Sequence, residues 1–552
     1  MSRIFAIWMI SLTGACTPQV YHTRADRETY SVLYEKTAAV ENVDHENVDI
    51  ALPGEIDISG LRSSGVRAEY LGPISHRERK AKVMTLPDAL ETGVTHGRNY
   101  LTQKERVFLS ALELTLVRYD LAPISFARGS LDWATDSRTA TLQQGMTELV
   151  STNTFARNSS IGFNWLLKTG ARVSSDFTRD FLRFTTGNRS LNSSDLAVSL
   201  IQPLLQGGGT TVTLEALTQE ERNVLYDLRD FADFRRFYVV DVVSSYYAVL
   251  EARDRAQNNY VAYKGFLGSV EREKALVEEE RSTLTQLGQL QQAALRAESR
   301  WVNAVRSYET QLDNFKILIG LPVEENVILE ASELEGLRIV EPGISREEAV
   351  RVALVTRPDL ATSRDLVEDA ERQIKVTKNG LLPGLDVSLD YNSLSNPRDT
   401  TPGVNFDRRR WRGTLDLDLP LDRKAERNNY RAAQIFLDRA ERSLSLAEDE
   451  ARLEIFDAWR DLDQARLNHK IAEQGVSLAD RRLEEQLLLA ELGGGRARDL
   501  VEAQEDLVDA QNQRTASLVD HALARMRLWR DMGILYVSED GSWITRLENE
   551  GR

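Results

Sequence analysis

Short segments of the chain alternate apolar and polar residues, and such alternation predicts strands with two different faces. Four of them stand out, near residues 160–175, 195–203, 382–392 and 411–422. In the last two, apolar residues form one face and aspartates form much of the other. The apolar residues are Leu385, Val387, Leu389, Tyr391, Trp411, Leu415 and Leu417, and the aspartates are Asp386, Asp390, Asp416 and Asp418.

Two long segments, each following a pair of these strands, lack proline and predict unusually long helices. Ala425 to Leu492 contains a single glycine, and at about 1.5 Å per residue it would span on the order of 100 Å. Thr213 to Leu287 predicts a similar helix. Small and apolar residues recur in the first segment at spacings of three and four, which is typical of a coiled-coil seam with one stutter. The seam comprises Leu437, Ala440, Leu444, Ala447, Ala451, Ile455, Ala458, Leu462 and Ala465.

The chain is internally duplicated. The segment from Leu86 matches the segment from Ser345, and between the two copies Ala89 corresponds to Ala349. Each half is predicted to contain a helix, two strands, a long helix and a returning helix. We assign residues 85–337 and 338–537 to the two halves, 16–84 to an N-terminal linker and 538–552 to a C-terminal tail, and residues 124–158 receive no assignment.

Composition excludes several classes of protein. The 552 residues carry a formal net charge of -16, which argues against a nucleic-acid-binding protein because such a protein needs a basic face. No histidine pair, phosphate-binding loop or other catalytic constellation is present, so we expect neither an enzyme nor a bound metal or cofactor.

The N-terminus has the features of an export signal. Residues 1–15 contain one arginine, a short apolar run and small residues before Cys16, the only cysteine. This arrangement resembles a bacterial lipoprotein signal, which implies lipidation, including palmitate, at Cys16. An ordinary signal peptide with an incidental cysteine is the alternative.

Four two-faced strands cannot close a barrel alone, because a filled ring needs about eight strands. Copies of the chain must therefore share one. Two copies would give a filled interior, and three would give twelve strands with a lumen. The apolar faces would then contact lipid and the aspartates would line water. A pair of soluble hairpins on a small core is the alternative.

The order of several stretches resembles the TolC-type outer-membrane efflux protein family over roughly residues 85–536. The stretches are "SLIQPLLQGGG", "LDNFKILIGLP", "EEAVRVALVTRPDLATSR", "GLLPGLDVSL" and "LVEAQEDLVDAQ". The resemblance implies a mainly α fold with a membrane β-barrel: long coiled-coil helices form an α-barrel, and a homotrimer shares a twelve-stranded β-barrel to which each chain gives four strands. It also implies an outer-membrane location in a Gram-negative bacterium, with the helices in the periplasm.

The family's function implies a channel that receives substrates from a periplasmic adaptor and an inner-membrane transporter. Asp499 and Glu502 follow the turn between the last two helices and match positions where some family members carry an acidic pair around the pore aperture. They could instead be ordinary solvated helix charges. A structural coiled-coil envelope lipoprotein without a pore is the alternative function, and an unrecognised envelope enzyme is a more remote one.

Overall fold

The computed structural model describes residues 17–51, 53–65, 68–141, 147–184, 190–395, 405–492 and 495–545. The chain divides into two compact units, each assembled from separate stretches. Unit 1 comprises the described parts of Met1–Val32, Leu109–Val224 and Arg364–Ser443, and unit 2 those of Leu33–Phe108, Leu225–Ser363 and Leu444–Arg552. Among the residues described, no helix combines the length and apolar character needed to cross a membrane.

Helices and strands follow each other in two similar series. The helices are α1 (Pro18–Thr37), α2 (Ser75–Glu78), α3 (Leu86–His96), α4 (Arg98–Asp120), α5 (Thr210–Thr213), α6 (Glu215–Glu278), α7 (Leu284–Ile319), α8 (Ser332–Gly336), α9 (Arg346–Thr356), α10 (Pro358–Asn379), α11 (Lys424–Glu491) and α12 (Ala497–Asp531). The strands are β1 (Lys82–Met84), β2 (Ile124–Thr141), β3 (Thr147–Leu166), β4 (Arg172–Phe184), β5 (Ser190–Pro203), β6 (Val327–Leu329), β7 (Gly384–Leu394), β8 (Arg409–Asp418), β9 (Leu535–Val537) and β10 (Trp543–Thr545). The two predicted long helices are α6 and α11.

Helix capping confirms the internal duplication. Helix α3 begins with a capping box in which Thr85 and Asp88 exchange hydrogen bonds between side chain and backbone. Helix α9 begins with the same motif, formed by Ser345 and Glu348. The two boxes lie 260 residues apart, and each satisfies two backbone N–H groups at a helix start. The repeat is therefore visible in local hydrogen bonding as well as in sequence.

The main sheet belongs to unit 1 and has six strands rather than the four predicted. Its order is β2-β3-β4-β5-β7-β8, and every neighbouring pair is antiparallel. The segment near 160–175, predicted as a single strand, is a hairpin that joins β3 to β4. Its turn is closed by a hydrogen bond from Leu167 N to Ala171 O, with Gly170 at φ +89°. Apolar and polar residues alternate with the same phase before and after this turn, so the sequence pattern did not reveal that the chain reverses there.

Of residues 124–158, which the sequence left unassigned, 124–141 form β2 and 147–158 form more than half of β3. These strands were not predicted because apolar and polar residues alternate only weakly in this segment. One face of β2 carries the small residues Ala127 and Gly129 before Leu131 and Trp133, so few large apolar side chains mark its period.

In unit 2, the predicted alanine-rich seam is buried over its second half. Ala451, Ile455 and Leu462 of α11 are at most 4% exposed. They belong to the part of the seam that runs to Ala465, which packs against α9 and α12, including Leu528. Small alanine side chains let helix axes approach closely while the larger residues interlock. The seam residues from Leu437 to Ala447 are only partly buried.

A second cluster in unit 2 fixes the start of α12. Ala497 and Val501 pack with Phe266 of α6 and with Ala293 and Ala297 of α7. The turns that follow α6 and α11 therefore lie at the same end of unit 2.

Residues between α1 and α3 contain buried contacts that the sequence pattern did not indicate. In unit 2, the Trp301 indole donates a hydrogen bond to the Tyr70 carbonyl at 2.6 Å. The buried Arg235 guanidinium donates to the carbonyl of Asn42 and, at 2.8 Å, to that of Val537. The stretch is held by these side-chain to backbone hydrogen bonds and by buried apolar residues without a regular period, such as Val48 and Leu71, so it leaves little trace in the hydropathy pattern. Helix α1 is likewise missing from the sequence interpretation.

Replacing Gly320 by alanine should destabilise the protein. Gly320 ends α7 at φ +87°, and an added Cβ would lie 2.2 Å from the His96 carbonyl oxygen. The left-handed conformation alone costs a residue with a Cβ about 1–2 kcal/mol, and this overlap adds to it. We expect a lower midpoint of thermal unfolding, followed by circular dichroism at 222 nm in detergent.

Gly268→Ala is the matched control. Gly268 lies inside α6, and apart from the adjoining backbone of its own helix no atom lies within 4 Å of an added Cβ. Alanine there should raise stability by roughly 0.5–1 kcal/mol, because glycine loses more conformational entropy in a helix. Equal shifts in the two variants would contradict the assigned role of Gly320.

Candidate pore wall and aperture

The predicted apolar residues of β7 and β8 lie on one face of the sheet. Residues directly opposite each other in an antiparallel pair point to the same side. Tyr391 and Trp411 are such a pair, with ring centroids 4.7 Å apart. The other predicted members are aligned as Leu385 with Leu417, Val387 with Leu415, and Leu389 with Gly413.

The four aspartates lie on the opposite face. Asp386 is directly opposite Asp416, and Asp390 accepts a hydrogen bond of 2.7 Å from the Ser199 hydroxyl on β5. Like charges opposite each other on strands repel, so the paired carboxylates need water around them. Asp418 lies opposite Gly384 on the same face. This face is suited to an aqueous lining.

The apolar face is exposed. Leu415 is 66% and Trp411 61% exposed, and Leu131 and Ile161 on the same face of the sheet are also exposed. Contiguous apolar surface of this kind marks a site of contact with lipid or protein. Within the described chain, the sheet thus has one polar, aspartate-bearing face and one exposed apolar face.

The predicted aperture residues lie just after the turn into α12. Asp499 and Glu502 are three residues apart and share a helix face. Leu500 and Ala503 of the same turns are buried, so α12 is held by its apolar side while Glu502 is exposed and Asp499 is half-buried. The two carboxylates therefore lie on the outer side of this helix start.

Basic residues accompany this acidic turn, and the sequence analysis missed them. Arg482 of α11 lies 3.4 Å from Glu502 and also forms an ion pair with Asp506. Arg300 of α7 lies 2.7 Å from Glu505. These partners are about 20 or 200 residues apart in the chain, so no spacing rule could have identified them. The acidic turn is a network of mixed charge rather than an isolated pair.

The described cavities offer no evident reaction centre. One of about 460 Å³ is lined by Trp459, Asp463, Arg466 and His521. Burial lowers the pKa of His521, so this ring is neutral at pH 7. No cluster of three or more potential metal ligands occurs among the residues described. Cys16 lies outside them, so its lipidation stays a prediction.

Residues 349–529 match the family model of the outer membrane efflux protein. A comparison with curated protein sequences found no match.

Several solved outer-membrane channels share the fold. The Campylobacter jejuni CmeC outer membrane channel is 14% identical, with a TM-score of 0.60, over 87% of this chain and 94% of that chain. The Neisseria gonorrhoeae MtrE outer membrane channel is 13% identical, with a TM-score of 0.56, over 81% and 88%. The outer membrane protein VceC from Vibrio cholerae is 13% identical, with a TM-score of 0.58, over 81% and 96%. The chain thus has the fold of outer-membrane channels, and its residues 349–529 match the model of the outer membrane efflux protein family.

Proposed function

We propose that the protein is an outer-membrane duct that conducts substrates to the exterior, working as a homotrimer with a periplasmic adaptor and an inner-membrane pump. The observation that carries this proposal is the two-faced sheet of unit 1, which is exposed and apolar on one side and aspartate-bearing on the other. A sheet of this kind suits a wall between lipid and water.

The edges of the sheet support assembly from several copies. Strands β2 and β8 are the outer strands of the described sheet, and all ten residues of β8 are exposed. Unpaired backbone groups are not tolerated in hydrocarbon. The two edges differ, so pairing β8 of one copy with β2 of the next is a head-to-tail contact that can close into a ring. The adaptor and pump are carried over from the family resemblance.

The alternative is a structural envelope lipoprotein without a pore. In that case, protein rather than lipid would cover the apolar face that contains Trp411 and Leu415. The paired carboxylates Asp386 and Asp416 favour the duct, because two neighbouring negative charges are stable only when that face of the sheet is in contact with water.

Arginine should be tolerated on one face of β8 and not on the other. Leu417→Arg places a charge on the proposed lipid face and should cost about 2–4 kcal/mol if the site lies near the membrane midplane. Asp416→Arg changes the adjacent residue on the proposed lumen face, so the barrel should assemble with altered ion selectivity. Gel mobility before and after boiling reports assembly, and planar-bilayer recording reports selectivity. Equal loss of assembly in both variants would argue against a pore wall.

The acidic turn should make the channel cation-selective. In a trimer, Asp499 and Glu502 would place six carboxylates at the inner end, where low-dielectric walls strengthen their field. Asp499→Ala combined with Glu502→Ala should reduce both cation selectivity and block by divalent cations. Arg482→Ala should increase selectivity, because it removes the cation that lies against Glu502 and Asp506. Reversal potentials across a salt gradient measure both effects.

Asp457→Ala combined with Asp461→Ala is the control, because it removes the same number of carboxylates per chain at a different place. These residues lie on α11, about 45 Å along the helix from the turn. The control should change the reversal potential less than the aperture variant does. If the aperture variant and Arg482→Ala both leave the reversal potential unchanged, the two carboxylates are ordinary surface charges.

We also propose that Cys16 carries the lipid anchor. The support is its position after a short apolar run and small residues. Cys16→Ser should abolish metabolic labelling with palmitate, while a serine substitution at the neighbouring Thr17 should not. An unmodified mature N-terminus in mass spectrometry would overturn this proposal.

A further inference from the structure

The first repeat contains a strand hairpin that the second repeat lacks. Strand β2 starts directly after Pro123 and β7 directly after Pro383, two prolines that correspond across the duplication. Strand β5 ends at Pro203, and β8 ends just before Pro420. Strands β2 and β5 are therefore the counterparts of β7 and β8. Strands β3 and β4 are an insertion between them.

This insertion lies inside the sheet and not beside it. Strand β3 pairs with β2 from Ile124 opposite Asn164 onward. Strand β4 pairs with β5 from Arg172 opposite Ile201 to Arg183 opposite Ser190. Every backbone contact that would otherwise join β2 to β5 is replaced by contacts through the hairpin. If β3 and β4 left the sheet, β2 and β5 would each present an unpaired edge.

The hairpin has the same two faces as its neighbours. The register aligns Phe177 of β4 with Leu196 of β5, and Ile161 of β3 with Phe177, on the face that carries Tyr391. The other face is mostly polar, with Asn158, Ser160, Asn164, Arg172, Ser174, Asp176, Thr178 and Asp180, and it also carries Leu182. Ser159 and Ser175 lie on the apolar face, and Arg157, Arg179 and Arg183 interrupt it from the middle of the strands outward, away from Gly170, where long basic side chains can extend toward a membrane surface. The pattern is that of barrel wall.

We infer that β3 and β4 belong to the barrel wall, so that three copies close an eighteen-stranded barrel instead of the twelve-stranded one that the resemblance implies. Six antiparallel strands leave β2 and β8 running in opposite directions, and the joint between copies therefore stays antiparallel. This inference rests on the trimer of the proposed function.

The added strands widen the lumen. Strands about 4.8 Å apart and tilted by about 40° give a backbone diameter of about 36 Å for eighteen strands and about 24 Å for twelve. The outer-membrane opening would then pass polar solutes too wide for a twelve-stranded barrel. On this face the hairpin carries the carboxylates of Asp176 and Asp180 and the guanidinium of Arg172. Its contribution to the lining is therefore net negative, which favours cationic or neutral solutes over anions.

Distances between spin labels measure the strand number directly. Thr414→Cys puts one label per copy on the lumen face of β8, and labelling of the parent protein gives the blank for Cys16. Three labels on an eighteen-stranded ring are about 31 Å apart at the backbone, against about 21 Å on a twelve-stranded ring. Inward-pointing labels shorten both distances. Leu415→Cys, the neighbour on the outer face, should report a longer distance and serves as the matched control.

Lipid and water access test the position of the hairpin. A fluorescent label at Phe177→Cys should be quenched by brominated lipid, and one at Thr178→Cys by aqueous iodide. Leu389→Cys and Ser388→Cys provide the same comparison on β7. Alternation on both strands with label distances near 31 Å supports the inference. Alternation on β7 alone, or distances near 21 Å in a conducting trimer, overturns it and leaves the duct intact. If neither strand alternates and no conductance is seen, the proposed function itself fails.

Discussion

Backbone pairing at the two edges of the unit 1 sheet is the constraint on which the rest depends. In hydrocarbon each unsatisfied N–H or C=O costs several kcal/mol, and β8 alone spans ten residues. No rearrangement of side chains can compensate for a free edge of that length. In the proposed duct, β8 must pair with another strand, and β2 at the far edge has the direction needed to receive it. Oligomerisation of the proposed duct is thus a consequence of backbone hydrogen bonding, before any side chain at the interface is considered.

Two strands, joined as a hairpin, are the smallest number that can be inserted into this antiparallel sheet without changing how the first repeat continues. A single inserted strand would reverse the direction in which β5 leaves the sheet and would place the start of α6 at the wrong end of it. Two strands preserve both the direction of β5 and the antiparallel joint between copies. The turn at Gly170 and the pairing of β3 with β4 allow this insertion without disturbing the relation of Pro123 to Pro383.

Sequence patterns predicted those parts of the fold in which apolar residues recur at regular spacings. The pattern showed the long helices, the buried seam around Ile455 and the alternating faces of β7 and β8. In a two-faced strand every second residue is apolar, and in a packed helix an apolar residue recurs every three or four positions. The hairpin around Gly170 was hidden since alternation does not change at its turn. The contacts of Arg235 with the Asn42 and Val537 carbonyls were unpredictable because side-chain to backbone hydrogen bonds have no period.

At the acidic turn, too, the sequence predicted residues on one helix face but not their partners from another helix. Sequence predicted Asp499 and Glu502 as a pair on one helix face, and the structure agrees. It could not predict Arg482, because the antiparallel return of α12 along α11 brings that residue close only in three dimensions. A guanidinium that forms an ion pair with a carboxylate cancels much of the carboxylate's field at a distance. The net field of the turn is therefore weaker than the carboxylate count suggests, and Asp499, which forms no salt bridge with any described residue, would supply most of it.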